Sequence, residues 1–286
     1  MKIVTDSAAD LPIDEVNEMD IKIAPLLIQF PEEEVQSDDI TPDSFYDRLK
    51  AMRPNIPTTA MPSIDMFARL YKQVAAKGEE ILSLHISSGL SGTFDVASQG
   101  AKQSGQNITM VDTMTLSGGQ RFQVLAAALA AKAGQSKEEI LKLLERIRAS
   151  TEVIYTLETL EYLQRGGRIG RVQALASSVL NIKPVINVDK ADGKYSTVGK
   201  TRTLKKALKS IQEYLEATYG SGTPLWICVL HGKFAEQAEE LAALVQDNLN
   251  VAKLEVLRIS PVLGVHTGPG IVGIAAVPLA LMADLL

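Results

Sequence analysis

One cysteine and three histidines are all that 286 residues hold of these two types. A single thiol, Cys228, cannot close an internal disulfide, and the set is too thin for a structural zinc site of four ligands. The missing disulfide framework points to a reducing compartment. Long hydrophobic runs are absent as well. The best, residues 271–286, is interrupted by Pro278 and Asp284 and falls short of the roughly 18 apolar residues of a spanning helix. It reads as a buried strand followed by a short C-terminal element. The opening residues MKIVTDSAADLP carry one lysine and then acids, which is not the pattern of a signal peptide. A soluble cytoplasmic protein with no transmembrane segment is expected. An excess of positive charge is also lacking, since 29 basic against 34 acidic residues leave −5, so the molecule as a whole is not built to coat nucleic acid.

What is present is ordinary for a globular protein, with 46% apolar and 22% charged residues. At about 150 residues per domain the length suggests two domains or one large one. Strand and helix patterns alternate through the first half. Short strands are expected at residues 3–5, 81–86 and 108–111, with β-rich sequence over 21–30. Helices are expected after Pro12, after Thr41-Pro42, from Ser63 to Gly78, and from residue 93 to 103. An alanine-rich helix follows over 116–132, and a last one begins at the capping pair Ser136 and Glu139. This order argues a parallel sheet with flanking helices. Beyond about residue 150 the texture changes. Residues 184–188 and 196–200 read as an antiparallel hairpin about the turn 191–194, followed by a helix over 204–219 and strands at 225–230, 254–259 and 271–277. The expected architecture is therefore α/β: an N-terminal domain over residues 1–150 with a parallel sheet, and a closely packed C-terminal domain over 151–286 with a mixed sheet and helices.

Charge is segregated. Residues 1–47 hold two basic and thirteen acidic residues, a net of −11, whereas residues 165–209 hold eleven basic residues against Asp189 and Asp192, a net of +9. The second segment can be a solvated face or the docking place of an anionic substrate or partner. Familiar nucleotide and hydrolase motifs are excluded one by one. Residues 193–201 resemble a Walker loop, but five residues separate Gly193 from Gly199 where four are needed, and the segment lies on a hairpin. There is no GxGxxG after a strand, no GxSxG and no HExxH.

Hydroxyl- and glycine-rich loops remain where sheet strands should end: Thr5-Asp6-Ser7, residues 57–63 and residues 87–93. Ligands of open α/β sheets bind at such carboxyl ends, and loops of small residues before a helix offer N–H groups and hydroxyl donors to an anion. The same residues also cap helices. In the second half, residues 264–270 place His266 among glycine and proline, with its ring expected to be presented from a loop. His85, inside a buried strand, is read as packing, and His231 follows a strand end. Two basic stretches, residues 165–171 after a helix expected over 157–164, and Lys200-Thr201-Arg202-Thr203, complete the candidate set.

These pieces together resemble the DegV family over essentially the whole chain. The resemblance rests on Thr5-Asp6-Ser7 with Asp10-Leu11-Pro12, residues 59–63, residues 87–93, Val111-Asp112-Thr113, residues 162–169, Lys183-Pro184, Lys200-Thr201-Arg202 and residues 266–270. One departure stands out: the family usually has Ser-Gln where this chain has Ala60-Met61, beside the expected head-group pocket. The resemblance implies a two-domain protein, not itself an enzyme, with no catalytic residue, metal or cofactor, that holds one long-chain fatty acid between its domains. Thr59 and Ser91 match the residues that bind the carboxylate. His266, Arg202 and, more weakly, Arg171 match residues near the head group that face a partner. The implied partner is the ATP-dependent subunit of bacterial fatty acid kinase, which turns the bound acid into an acyl phosphate for phospholipid metabolism. Two other readings of the same residues stay open. One is a lipid carrier or sensor with a non-kinase partner. The other is an esterase with Ser91 as nucleophile and His266 as base.

Overall fold

The structure is a computed structural model and describes residues 1–76, 78–176 and 182–285. In chain order the first half consists of β1 (Lys2–Asp6), α1 (Ile13–Glu18), β2 (Lys22–Ala24), β3 (Leu27–Gln29), β4 (Glu34–Gln36), α2 (Pro42–Ala51), β5 (Thr58–Ala60), α3 (Ile64–Val74), β6 (Ile81–His85), α4 (Thr93–Ser104), β7 (Ile108–Asp112), α5 (Ser117–Lys132) and α6 (Lys137–Ser150). The second half continues with β8 (Glu152–Leu157), α7 (Glu161–Arg165), α8 (Gln173–Ala176), β9 (Lys183–Val188), β10 (Tyr195–Thr201), α9 (Leu204–Tyr219), β11 (Leu225–His231), α10 (Ala235–Asn248), β12 (Val251–Arg258), α11 (Pro261–Thr267) and β13 (Ile271–Pro278). Helix starts follow the capping chemistry in the sequence. Thr41, Ser63 and Thr203 each accept a backbone N–H of the first turn. Ser136 and Glu139 bond reciprocally as a capping box.

A four-stranded parallel sheet runs β2-β1-β6-β7, and a six-stranded sheet runs β10-β9-β8-β13-β11-β12. In the latter β11 and β12 are parallel while the other pairings are antiparallel, so it is mixed as expected. All five residues of β6 are buried, as a parallel strand covered on both faces requires. Helices α3 and α4 cover the outer face of the parallel sheet, with Phe67, Tyr71 and Ala97 against Val4 and Ile81. Helices α9 and α10 cover the outer face of the mixed sheet through Leu208, Ile211, Leu241 and Val245. The inner faces of both sheets share one core.

Helix α5 lies within that shared core. Gln120 donates to Thr5 and Asp6 of the parallel sheet. A Cβ on Gly118 would come within 2.6 Å of Ala275 in the mixed sheet, and Phe122 stands edge-on to Trp226 at 5.2 Å. Arg121, fully buried, donates to Glu255 of β12 at 3.0 Å and to Glu15 of α1 at 2.9 Å. The alanine-rich sequence is explained by this position, since a helix covered on nearly every side needs small side chains where backbones approach. The core therefore continues across residue 150, where α6 gives way to β8.

Three local expectations are corrected. The helix expected over 157–164 is shorter, because β8 extends through Leu157 to pair with Ile271 and α7 begins only at Glu161. Residues 57–63 are not all loop. Thr58–Ala60 pairs with β3, giving an antiparallel sheet β4-β3-β5. The helix from Ser63 ends at Val74 rather than Gly78, and the last residue of the expected C-terminal element, 286, lies outside the described residues.

Candidate ligand site

Two residues far apart in sequence form the centre of the site. Thr59, half-buried on the edge strand β5, places its Oγ1 2.8 Å from His266 Nε2. His266 is not on a loop. It occupies the last turn of α11, a helix with Pro261 in its first turn, terminated by Gly268 in the left-handed region, every residue of which is buried. Glycine density at 264–270 misleads because it serves close packing: a Cβ on Gly264 would lie 2.7 Å from Phe45 and from the Tyr46 hydroxyl. Tertiary burial overrides weak helix propensity here. The ring faces inward. Burial, aided by the charge of Arg168, pushes its pKa down to about 4, so the imidazole is neutral at pH 7. Its Nδ1 has no hydrogen-bond partner, and the backbone of Gly166 lies directly behind it, where a Cβ would come within 2.3 Å. Arg168 donates to the Gly166 carbonyl at 2.9 Å and so holds this wall in place.

The loop over residues 87–93 joins β6 to α4. Ser91 Oγ lies 2.8 Å from Thr93 Oγ1 and accepts from the Thr93 N–H at 3.3 Å. It therefore helps start α4 while remaining partly exposed. A Cβ on Gly92 would meet Met61 Sδ at 3.1 Å, which brings this loop against the segment carrying Thr59. The Ala60-Met61 departure thus sits between the two hydroxyl residues, with Met61 41% exposed. At its other end the loop docks onto the β9–β10 turn, where Ser87 donates to the Gly193 carbonyl at 2.8 Å. Gly193 has φ +65°, and no side chain fits there because Ser87 Oγ occupies the space.

Arg171, from the segment just before α8, clasps that turn. Its guanidinium is bonded to Asp189 at 3.3 Å and to Asp192. These are the two acids of the basic segment. Gly89, Leu90, Arg168, Arg171, Lys194 and Tyr195 line a basic cleft beside the loop. Arg202 is elsewhere: exposed, just beyond the far end of β10. With about 3.3 Å per strand residue, roughly 20 Å of ribbon separates it from the turn held by Arg171. The structure thus joins Thr59 to His266, sets the Ser91 loop beside them, and places Arg171 and Arg202 at opposite ends of one β-ribbon. Ser91 and His266 are not bonded to each other: the hydroxyl pairs with Thr93 and the imidazole with Thr59. A nucleophile–base contact of the kind an esterase needs is not formed.

Next to His266 lies a narrow apolar cavity of about 30 Å³. Thr267 and Leu263 of α11 contribute one side, Leu116 another, and Tyr155, Ile271 and Gly273 the inner face of the mixed sheet. Tyr195 lines both this cavity and the basic cleft.

Some sequence candidates turn inward instead. The Asp6 carboxylate, 0% exposed, accepts from the N–H of Ala8 and of Ile86 at 3.0 Å each and from His85 Nδ1–H at 2.9 Å. His85 Nε2 in turn lies 2.8 Å from Ser83 Oγ. This has the bond pattern of a hydrolytic triad, but all three side chains are fully buried and no substrate reaches them. Its effect is to pin Ile86, where the Ser91 loop begins. Thr5-Asp6-Ser7 is thus a structural hub rather than a ligand loop. Asp10 is also buried. Desolvation raises its pKa to about 6, while Ser117 donates to it at 2.5 Å. Gly166 and Arg168 lie in the basic stretch 165–171 that the sequence singled out, whereas Tyr155 and Tyr195 carry no one-dimensional signal for the site, because only the tertiary fold brings them to it.

Known proteins similar to this chain match it over nearly its whole length. The family model described as "Uncharacterised protein, DegV family" matches residues 1–279. A DegV domain-containing protein of Deinococcus radiodurans is 37% identical over 276 residues, 96% of this chain and 95% of that one. One from Lactococcus lactis is 34% identical over 94% of this chain and 96% of its own length. Among solved structures, a Thermus thermophilus DegV family protein described for its fatty acid binding superposes with a TM-score of 0.90 at 33% identity, covering 97% of this chain and 99% of the other. Bacillus subtilis DegV, described as a fatty acid binding protein, superposes with a TM-score of 0.87 at 30% identity, covering 96% and 98%. Among the described residues no helix is long and apolar enough to cross a membrane, and no group of three or more acidic, histidine or cysteine side chains is placed to hold a metal ion.

Proposed function

The chain belongs to the DegV family, and on that premise we propose that it binds one long-chain fatty acid, with the carboxylate at Thr59 and Ser91 and the tail entering the core at the narrow apolar cavity, which widens to admit it, and presents it to an ATP-dependent kinase subunit in the cytoplasm. The observation that carries this reading is the hydroxyl–imidazole pair Thr59–His266 beside a cavity lined almost wholly by apolar side chains. A saturated acid of about sixteen carbons has about fourteen methylenes, worth at most about 11 kcal/mol at roughly 0.8 each. Association and chain ordering offset much of that. Each hydrogen bond to the carboxylate adds about 1.5–3 kcal/mol before its desolvation is counted. The tail then sets affinity and the head group sets position.

Neutral donors suit a carboxylate that must attack phosphorus. A tight arginine fork would hold its electrons, whereas Thr59, Ser91 and a neutral His266 orient it and leave it nucleophilic. Positive charge at the rim, from Arg168 and Lys194 in the cleft and Arg202 beyond it, is available for the incoming phosphate and for the partner's surface. Arg171 contributes through the turn it clasps. In this assignment residues 1–150 carry the carboxylate loops and residues 151–286 most of the tunnel and the partner-facing segment.

Mass spectrometry of the purified protein, native and after organic extraction, tests the binding step. A long-chain acid is expected in the wild type and is lost or reduced in the Thr59→Ala, Ser91→Ala double variant. A protein that arrives empty and takes up no added fatty acid refutes the reading. For the presentation step, Arg202→Ala is expected to keep the lipid but slow acyl phosphate formation with the kinase subunit. Unchanged phosphorylation removes Arg202 from it.

A further inference from the structure

Methionine is sparse on the surface. Of eight methionines, only Met1 and Met61 are exposed, at 37% and 41%, and the other six are half-buried or buried. Met61 stands beside the hydroxyl residues of the head-group site. It follows β5 directly and precedes Pro62, and a residue before proline is held extended. Residues two apart in an extended chain share a face, so Met61 emerges on the side of Thr59. Its thioether crosses to the Ser91 loop. A Cβ on Gly92 would lie 3.1 Å from Met61 Sδ and 3.5 Å from its methyl carbon, and Gly92 joins Ser91 to the first turn of α4. One oxidisable sulfur therefore lies between the strand of Thr59 and the loop of Ser91.

A thioether donates no hydrogen bond and accepts only weakly, so the reduced side chain does not compete for the hydroxyls around it. Oxidation by a peroxide inverts this. A sulfur lone pair attacks one peroxide oxygen, and the S–O bond forms as the O–O bond breaks. The proton on the transferred oxygen passes to the departing hydroxide, which leaves as water. Sulfur gives up two electrons and the peroxide takes them. The product, methionine sulfoxide, is polar where the thioether was apolar. Its oxygen carries the negative end of the S–O dipole and accepts hydrogen bonds without donating any. A carboxylate is likewise an acceptor only. The two therefore compete for the same hydroxyl donors, and their negative oxygens repel.

Resting on the reading that Thr59 and Ser91 hold a carboxylate, we propose that Met61 is an oxidation site of the head-group pocket, where a peroxide converts the thioether to the sulfoxide and lowers the affinity for the fatty acid. Enzymatic reduction of the sulfoxide restores the thioether, so the change is reversible. Exposure separates Met61 from Met282, which is 0% exposed, and from Met110, whose sulfur accepts from the Tyr71 hydroxyl at 3.9 Å. Met1 is open to peroxide as well, but it precedes β1 at the opposite end of the parallel sheet from the Ser91 loop.

The test uses the full chain, freed of lipid, as wild type and Met61→Leu, before and after treatment with hydrogen peroxide. Peptide mass spectrometry locates the added oxygen, and titration with octadecanoic acid reads the affinity. Met61 is expected to gain its oxygen ahead of the six less exposed methionines. Wild-type affinity should then fall by about tenfold, equivalent to ~1.4 kcal/mol, and recover after treatment with methionine sulfoxide reductases for both epimers. Met61→Leu keeps an apolar side chain of similar volume and should bind the acid alike before and after peroxide. The proposal is overturned, with fatty acid binding intact, by a Met61 sulfoxide that binds as tightly as the thioether or by an equal loss in wild type and Met61→Leu. It is overturned likewise by a Met61 that stays unoxidised while buried methionines react. A wild type that binds no octadecanoic acid before peroxide overturns the binding reading and this proposal with it.

Discussion

Replacing His266 with glutamine should change how the protein's stability depends on pH. Glutamine can reproduce the bond to Thr59 but cannot titrate. The imidazole has a pKa of about 4 in the folded chain, lowered by burial and by Arg168, against about 6.5 when unfolded. Below pH 6.5 the unfolded chain binds the proton and the folded chain does not, so stability falls as pH drops and levels off only below about 4. Between pH 7 and pH 5 this amounts to about 2 kcal/mol. Asp10 acts in the opposite sense. Its folded pKa of about 6 lies above the ordinary 3.8, so acidification through that range stabilises the fold by about 1 kcal/mol. In the wild type Asp10 therefore offsets much of the histidine's contribution. His266→Gln keeps Asp10 and loses the histidine contribution, so urea unfolding of the lipid-free proteins should find the variant gaining about 2 kcal/mol on the wild type between pH 7 and pH 5. Parallel stability curves would refute a neutral, buried His266.

Other substitutions separate the parts of the site. Gly166→Ala puts a Cβ onto His266 Nδ1 and is expected to cost about 1–3 kcal/mol by overpacking and to weaken fatty acid binding, read by unfolding and by ligand titration. Arg171→Ala removes only half-exposed ion pairs, so stability should change by less than about 1 kcal/mol, yet amide exchange over residues 189–194 should accelerate. An unaltered exchange pattern would show that the turn does not depend on Arg171. Arg121→Met leaves Glu255 without its arginine partner beneath Trp226. A loss of about 3–5 kcal/mol is expected, seen as a fall in thermal midpoint of about 10 °C, whereas a neutral result would show that the cluster holds nothing together.

Local chemistry was sufficient for much of this protein. Serine and threonine caps, the glycine-broken turn at residues 191–194 and the alternation of strand and helix determined where most elements begin, because those signals act within a few residues. They also determined the class, a parallel sheet followed by a mixed one. Thr59, Ser91 and His266 could be singled out from their surroundings and their resemblance to a family. Three-dimensional packing decided the rest. His266 became helical because Gly264 had to lie flat on Phe45 and Tyr46, and it became neutral because Gly166 sealed its ring from water. Thr5-Asp6-Ser7 looks like a ligand loop in one dimension, but sheet pairing buried it as the anchor of His85 and Ile86. Arg171 and Arg202 share one basic stretch, yet the β-ribbon carries them to opposite ends. Burial, electrostatic environment and the meeting of residues some two hundred positions apart depend on contacts between elements, and no sequence window contains those contacts.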